Sequence, residues 1–268
     1  MKKKVSVFNF TNVYEKQSFY QFDKSSICVS DSTIPDAKKV DLTGISGTNC
    51  MCDDAAMDAI RKAISDNNIG ADEIHFIDNG NYHYMSAIML EQIIEPISLV
   101  VFDHHPDMQP PMFGDILSCG GWVLYALEHN PNIKDIHIIG ADEKLISELP
   151  EDVRSRALFY SVSDVIRKAD SDSEEACVVN LPSTQYPVYL SIDKDVLSAE
   201  EITTNWDQGE MTRNQLFCLI KELLTCREVI GVDICGECAL DQEGINVDEA
   251  VAENDKLNKE LLGILLNS

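Results

Sequence analysis

The stretch Leu99-Val100-Val101-Phe102-Asp103-His104-His105-Pro106-Asp107 joins an unbroken apolar run to a cluster of carboxylate and imidazole side chains. Because the run does not alternate between apolar and polar residues, it predicts a strand that is buried on both faces, as in a parallel sheet covered by helices. Functional sites in open α/β sheets form at the carboxyl ends of strands. The stretch therefore predicts both a fold and the place of a site within it.

Similar apolar runs recur along the chain and alternate with helical patterns. The runs with strand character cover residues 5–10, 74–77, 99–102, 136–139, 158–162, 188–192 and 229–234. Amphipathic patterns typical of helices cover residues 53–65, 120–128, 212–224 and 247–266. Residues 169–184 have the composition of a loop. This order predicts a single α/β domain over residues 1–268, a three-layer sandwich with a mainly parallel central sheet.

The composition excludes several classes of partner. The chain has 268 residues, with 21 Lys and Arg against 46 Asp and Glu, and a net charge of −25. Nucleic acids and anionic membranes bind basic surfaces, so neither is an expected partner. No run of about 18 apolar residues is present, which predicts that no segment spans a membrane. Nine scattered cysteines do not resemble a secreted disulfide framework and favour a reducing, cytoplasmic location.

Carboxylate and imidazole groups follow two of the apolar runs at regular spacing. Asp103, His105 and Asp107 stand at alternate positions, and so do Asp193 and Asp195. In extended backbone, alternate residues point to the same side, so each motif presents its groups together. The alternative is that the aspartates cap helices and the histidine packs in the core. The two motifs together favour a pair of divalent ions, and Mn²⁺ suits mixed carboxylate and imidazole ligands.

These motifs resemble those of the arginase–agmatinase (ureohydrolase) family. Asp103-His104-His105-Pro106-Asp107 resembles the family's Asp-x-His-x-Asp motif, and Ser191-Ile192-Asp193-Lys194-Asp195 resembles its Ser-x-Asp-x-Asp motif. Gly80-Asn81-Tyr82-His83-Tyr84 stands where the family has Gly-Gly-Asp-His-Ser, and Gly231-Val232-Asp233-Ile234 resembles a late Gly-x-Asp-Ile strand. The resemblance runs from about residue 70 to the C-terminus, and it implies the arginase-like α/β fold.

The resemblance implies two Mn²⁺ ions per chain, with other divalent ions left open. One ion would be held by His83, Asp103, Asp107 and Asp193. The other would be held by Asp103, His105, Asp193 and Asp195. Members of the family use the ion pair to hold a hydroxide that attacks a guanidinium or similar amidino carbon, and metal binding lowers the pKa of water to about 7. Strand alternation directs Lys194 away from this cluster.

The chain departs from the family around the substrate. Gln215 stands at the position of a glutamate that contacts the guanidinium, and an amide lacks the charge-assisted strength of a carboxylate. Glu210 and Glu237 are the candidate replacements. Trp122 stands at the position of the family's proton-shuttle histidine. We therefore predict a member that is not a standard arginase, with Asp107, Gln215 and Glu237 as the catalytic candidates.

The predicted activity is hydrolysis of a C–N bond other than a peptide bond, in a guanidino, formimino or amide group of a small molecule, with linear amidines favoured. One alternative is a DHH-type metal phosphoesterase, because Asp103-His104-His105 resembles the signature of that family. Another is a metal-binding member without catalytic activity, which Trp122 and Gln215 motivate. Partners are limited to the small-molecule substrate, and a homo-oligomer is possible on the family resemblance.

Overall fold

The computed structural model of the protein describes residues 1, 3–21, 37–168 and 177–267. The strands in this part are β1 Val5–Asn9, β2 Ala37–Asp41, β3 Met51–Cys52, β4 Ile74–Asn79, β5 Ile97–Phe102, β6 Leu117–Ser118, β7 Ile133–Ile139, β8 Leu158–Tyr160, β9 Ile166–Lys168, β10 Cys177–Val179, β11 Val188–Asp193 and β12 Val229–Glu237. The helices are α1 Asp54–Asp66, α2 Met85–Leu90, α3 Trp122–His129, α4 Glu143–Glu148, α5 Glu151–Arg154, α6 Val162–Val165, α7 Arg213–Cys226 and α8 Val247–Leu266.

Eight of the described strands form one sheet in the order β2-β1-β4-β12-β11-β5-β7-β8. Every neighbouring pair in it is parallel. Two small antiparallel pairs, β9 with β10 and β3 with β6, lie outside this sheet. The predicted α/β fold with a mainly parallel sheet is confirmed. The single-domain organisation over residues 1–268 stays a prediction.

The sheet is covered on both faces, as the unbroken apolar runs predict. All six residues of β5 are buried, and its side chains alternate between two cores. Leu99 and Val101 pack in the core that contains residues of α1, α2 and α3, whereas Val100 and Phe102 pack in the core that contains residues of α7 and α8. These helices and the sheet form the three layers of the sandwich.

Helix boundaries follow local sequence signals closely. Asp53 caps α1 because its side chain accepts a hydrogen bond from the backbone N–H of Ala56. Thr212 begins α7 in the same way, through a capping box with Gln215. The predicted C-terminal helix, residues 247–266, has the observed bounds of α8.

Other boundaries differ from the prediction. The edge strand β2 was not predicted, because its sequence Ala-Lys-Lys-Val-Asp contains no apolar run and it is only partly buried. Residues 169–176 of the predicted loop lie outside the described residues, and the described part that follows begins with β10. The pattern at 120–128 becomes a helix only from Trp122, after a short 3₁₀ turn. Among the described residues, no helix has the length and apolar character needed to cross a membrane.

Candidate metal centre

The carboxyl ends of three central strands meet above the middle of the sheet. His83 follows β4 after a 3₁₀ turn, Asp103 follows β5 directly, and Asp193 ends β11. Strand β11 pairs with β5 on one side and with β12 on the other, and β12 pairs with β4. This order brings together six side chains that we term the cage: His83, Asp103, His105, Asp107, Asp193 and Asp195.

One group of ligand atoms converges on His83. Its Nδ1 lies 3.2 Å from Asp103 Oδ2, 3.2 Å from Asp107 Oδ2 and 3.3 Å from Asp193 Oδ2. His83 and Asp103 are each 1% exposed, so both side chains are almost completely buried. His83, Asp103 and Asp107 form a donor set that can hold a divalent ion. Asp193 Oδ2 lies beside this set.

A second group forms around His105. Its Nδ1 lies 2.9 Å from Asp195 Oδ2 and 3.5 Å from Asp103 Oδ1. Asp103 therefore directs one carboxylate oxygen toward each group and stands between them. The other oxygen of Asp193, Oδ1, accepts the backbone N–H of Asp195 at 3.0 Å. The structure thus brings together all six residues that the sequence predicts as metal ligands.

Two buried atoms of the cage have no hydrogen-bond partner among the described residues, namely His83 Nδ1 and Asp103 Oδ2. They are 3.2 Å apart without hydrogen-bond geometry. An unpaired buried polar atom costs about 1–3 kcal/mol, so such a pair calls for a ligand. The other ring nitrogen of His83, Nε2, lies 2.9 Å from Ser191 Oγ, an arrangement that leaves the Nδ1 lone pair free for a cation. The residues present therefore fit a metal ion.

The closely spaced carboxylates of the cage also favour bound positive charge. Burial alone would lower the pKa of His83, but the carboxylates of Asp103, Asp107 and Asp193 outweigh it and raise that pKa well above its usual value. Burial raises the pKa of Asp193 to about 8, and the charge of Asp195 adds to the shift. Burial likewise raises the pKa of Asp195 to about 6, with Asp103 contributing. The raised pKa values of His83, Asp193 and Asp195 mean that the metal-free cage retains protons, as expected for a site that favours positive charge.

His105 is oriented by a carboxylate that the sequence did not point to. Asp207 Oδ1 lies 3.1 Å from His105 Nε2, on the side of the ring opposite the cage. A carboxylate in this position fixes the tautomer that leaves Nδ1 free for a metal. Asp207 lies in the loop between β11 and α7, where no run or spacing marks it, and its side chain is 70% exposed.

Trp122 contacts the cage from the first residue of α3. Its indole Nε1 donates a hydrogen bond to Asp107 Oδ2 at 2.7 Å, and its ring lies 4.8 Å from that of His83. The side chain is fully buried. Asp107 itself has a φ of 47°, an uncommon backbone conformation for a residue other than glycine. Trp122 therefore positions a cage carboxylate and does not reach bulk water.

The structure does not bring Glu237 to the cage. Its carboxylate accepts a hydrogen bond from Lys194 Nζ at 2.5 Å and another from Gln17 at 2.6 Å, both in the core on the α8 side of the sheet. Alternation along β12 would place Glu237 on the same face as Cys235. Gly236 lies between them with a φ of 95°, which interrupts the alternation and turns Glu237 to the other face.

Gln215 and Glu210 also lie away from the cage. The Gln215 side chain accepts the backbone N–H of Thr212 at 2.9 Å as part of the α7 cap. Glu210 is exposed and lines a separate cavity beside His104. Of the three predicted catalytic residues, the structure brings only Asp107 to the cage.

A pocket of about 280 Å³ opens above the cage. Its floor includes four cage carboxylates and His105. Its walls come mainly from residues 109–120, together with residues near β3 and the loop that carries Trp206. A small molecule that enters here reaches the cage directly.

Comparisons of the sequence with known proteins find one matching family model and one curated relative. The sequence matches the family model of the Arginase family over residues 21–245. An uncharacterised protein of Thermotoga maritima is 29% identical over 164 residues, which are 61% of this chain. The matched region spans 58% of the length of that relative.

Solved structures share the fold at low sequence identity. Proclavaminate amidino hydrolase from Streptomyces clavuligerus has a TM-score of 0.64 at 12% identity, covering 100% of this chain and 93% of that one. Formimidoylglutamase from Bacillus subtilis has a TM-score of 0.63 at 12% identity, covering 98% and 87%. Agmatine ureohydrolase of Thermoplasma volcanium has a TM-score of 0.61 at 15% identity, covering 99% and 90%. Since the family model spans most of the sequence and includes every cage residue, the chain belongs to the arginase family.

Proposed function

We propose that the protein is a binuclear metal-dependent hydrolase of the ureohydrolase type that cleaves a C–N bond of a small molecule. The observation that carries the proposal is the cage itself, with two unpartnered buried atoms that face each other under an open pocket. Membership of the arginase family supports the same class of reaction, since its members are hydrolases that act on C–N bonds.

The proposed ions are two Mn²⁺, because four carboxylates and two imidazoles form a mixed oxygen and nitrogen donor set. His83, Asp103, Asp107 and Asp193 would hold one ion, and Asp103, His105, Asp193 and Asp195 would hold the other. When bound, the ion pair supplies Lewis acidity and makes water a nucleophile at neutral pH. Asp207 and Ser191 would orient the two imidazoles toward the ions.

Asp107 is the proposed proton acceptor. It is the most exposed of the four cage carboxylates, at 6% against 1–2% for the others, and it lines the pocket. A carboxylate that borders both cage and pocket can hold the proton that the attacking water loses and pass it to the leaving nitrogen. The Trp122 indole keeps Asp107 Oδ2 in place during this transfer.

Of the two alternative functions, the phosphoesterase loses support, and the metal-binding protein without turnover is supported by one observation. A phosphoesterase needs cations for the phosphate, and neither Lys nor Arg is among the described residues that line the pocket. Trp122 favours a metal-binding protein without turnover. Its ring lies beside Asp107, and it stands at the position where the family resemblance implies a proton-shuttle histidine. The cytoplasmic location and a homo-oligomeric state remain predictions.

The experiment combines metal analysis with a substrate panel. Purified protein stripped of metal and reloaded with Mn²⁺ should bind two equivalents and should release urea, ammonia or formamide from some member of a guanidino, formimino and amide panel. Asp193→Asn should lower the bound metal and abolish turnover. Asp142→Asn is the matched control, because Asp142 caps α4 near the same edge of the sheet and asparagine also caps helices.

Three outcomes would contradict the proposal. Failure to bind two equivalents of any divalent ion would remove the metal centre. Two bound equivalents with no turnover across the whole panel would favour the metal-binding protein without catalytic activity. Equal activity of Asp193→Asn and Asp142→Asn would show that the observed hydrolysis does not come from the cage.

A further inference from the structure

The walls of the pocket above the cage are built mainly from apolar side chains. They come from four segments that meet at the opening: the loop after β5, the residue that begins β3, helix α4 and the loop between β11 and α7. The apolar lining residues are Met51, Pro106, Pro110, Pro111, Met112, Phe113, Ile116, Leu145 and Trp206. A ligand that fills this space above the cage is therefore surrounded mainly by hydrocarbon.

The charged groups of the lining all belong to the cage. Lys, Arg and Glu are absent from the described residues that line the pocket, and its charged or ionisable oxygen and nitrogen groups are Asp103, His105, Asp107, Asp193 and Asp195. Four carboxylates carry four negative charges, and two divalent cations would carry four positive ones. With both ions bound, the cage would have no unpaired negative charge to attract a cationic substrate. It would also have no unpaired positive charge to attract a substrate with a carboxylate tail.

Large apolar side chains are exposed around the mouth of this pocket. Met112 is 80% exposed, Phe113 74%, Met51 43% and Trp206 41%. These are four of the eight large apolar residues that are exposed in the described part of the chain. Exposed apolar side chains that gather around one opening mark a surface that a ligand covers, whereas isolated ones need no explanation. The clustering points to an apolar ligand.

We propose that this pocket selects a substrate with an uncharged reacting group and an apolar, ring-bearing tail, as in an amide of an aromatic amine. The inference rests on the proposed function, because it takes the cage as the reaction centre. In the reaction, a water oxygen bonds to the amide carbon and the C–N bond breaks. The nitrogen takes a proton, and the products are a carboxylic acid and the free apolar amine.

Charged tails would be rejected for a physical reason. An ammonium or carboxylate tail would lose its hydration among the apolar walls without finding an opposite charge, and burial of an unpaired charge is strongly unfavourable. A phenyl tail, in contrast, can bury its ring against Phe113 and Trp206. Gln109 and Ser118 are uncharged polar side chains of the lining that could meet the polar part of a neutral amide.

The test uses two probes with one metal-binding group and different tails. N-(2-phenylethyl)acetohydroxamic acid and N-(2-aminoethyl)acetohydroxamic acid, whose tails are on the nitrogen as in the proposed substrate, are titrated into the Mn²⁺-loaded protein in a calorimeter, so binding is measured without turnover. The phenyl probe should bind at least about tenfold more tightly, since burial of an aromatic ring contributes one or more factors of ten. In the substrate panel, amides of aromatic amines should be hydrolysed in preference to guanidino compounds with charged tails.

Variants test whether the residues at the pocket mouth cause the preference for the phenyl probe. The double variant Met112→Ser/Phe113→Ser should bring the affinities of the two probes to within a few fold and should keep two equivalents of metal. Ile94→Ser is the matched control, because Ile94 is also 80% exposed and does not line the pocket. It should leave the tenfold preference unchanged.

The results that overturn this inference differ from those that overturn the proposed function. Equal or tighter binding of the ammonium probe overturns it, even if the protein then hydrolyses a guanidino compound and the proposed function stands. A preference for the phenyl probe that survives in the double variant also overturns it. Loss of the metal centre itself would appear in the metal analysis, before either probe is added.

Discussion

At the scale of single residues, Gly236 makes room for a cage carboxylate. Its φ is 95°, and a Cβ atom placed there would lie 2.4 Å from Asp193 Oδ1 and 2.8 Å from the backbone nitrogen of Lys194. Backbone atoms cannot give way as a flexible side chain can. The absence of a side chain at this position is therefore tied to the position of Asp193, and through it to the geometry of the cage.

We predict that Gly236→Ala weakens Mn²⁺ binding and destabilises the fold. The left-handed backbone alone costs about 1–2 kcal/mol for a residue with a Cβ atom, and the collision with Asp193 adds to it. Gly244→Ala is the control, because Gly244 has a φ of 82° and open space around it. Calorimetric titration should show weaker metal binding only for Gly236→Ala, and equal affinities in the two variants would contradict the prediction.

A second residue-scale prediction concerns the hydrogen bond from Trp122 to Asp107. Trp122→Phe keeps most of the apolar volume and removes the donor, so we expect metal affinity to fall about 10- to 100-fold, as is typical when a group that holds a metal ligand is lost. Tyr84→Phe is the control, since Tyr84 is equally buried and its hydroxyl donates to the Thr48 carbonyl at 2.6 Å, away from the cage. Unchanged metal affinity in Trp122→Phe would show that the indole only fills space.

At the scale of elements, a buried polar network joins the turn that follows β11 to β12 and α8 behind the cage. The Lys194 ammonium donates to Glu237 at 2.5 Å and to Asn254 Oδ1 at 2.6 Å. Asn258 Nδ2 donates to Glu237 Oε1 at 2.7 Å and to Gln17 Oε1 at 2.9 Å. Because Asp193 and Asp195 flank Lys194, the network holds the backbone that carries two of the cage residues.

We predict that Lys194→Met destabilises the protein by about 3–5 kcal/mol, because it leaves the buried Glu237 carboxylate without its cation. The double variant Lys194→Met/Glu237→Leu should recover much of that loss, since no unpaired charge then remains. Urea unfolding of the metal-free proteins measures both effects. A double variant that is as unstable as the single one would show that packing around these side chains, rather than charge, is responsible.

At the scale of the whole molecule, the charge balance of the cage couples metal binding to pH. The pKa of Asp193 is raised to about 8 and that of Asp195 to about 6, whereas an unfolded aspartate has a pKa of about 3.9. Between about pH 4 and pH 8 the metal-free folded state therefore binds more protons than the unfolded state. Its stability consequently falls as the pH rises through that window. Metal ions displace these protons, so their binding strengthens as the pH rises.

We predict that Mn²⁺ raises the melting temperature more at about pH 8 than at about pH 6. At a free metal concentration 100 times the Kd, the stabilisation is about 2.7 kcal/mol, and it shrinks as protonation weakens binding. Scanning calorimetry with Mn²⁺ or with a chelator, at each pH, measures the difference. A metal-dependent shift in melting temperature that is equal at the two pH values, or larger at the lower pH, would contradict the prediction that protons and metal ions compete for the cage.

The sequence by itself determined the features that depend on neighbouring residues. Unbroken apolar runs such as that of β5 indicate burial on both faces, and the 3.6-residue pattern of α8 marks a helix between its observed ends. The alternating spacing of Asp103, His105 and Asp107 likewise predicts that these groups act together. The family resemblance added His83, because Gly80-Asn81-Tyr82-His83 has no metal-binding spacing of its own.

Only the tertiary structure decided which distant groups meet. Insertion of β12 between β4 and β11 cannot be read from local pattern, since strand order depends on how the whole chain packs. The direction of the Glu237 side chain depends on the positive φ of Gly236, because this backbone conformation turns Glu237 away from the cage and toward Lys194. Asp207 reached His105 through an irregular loop. Side-chain direction beyond a strand end is set by backbone angles and long-range packing, and neither is encoded in spacing along the sequence.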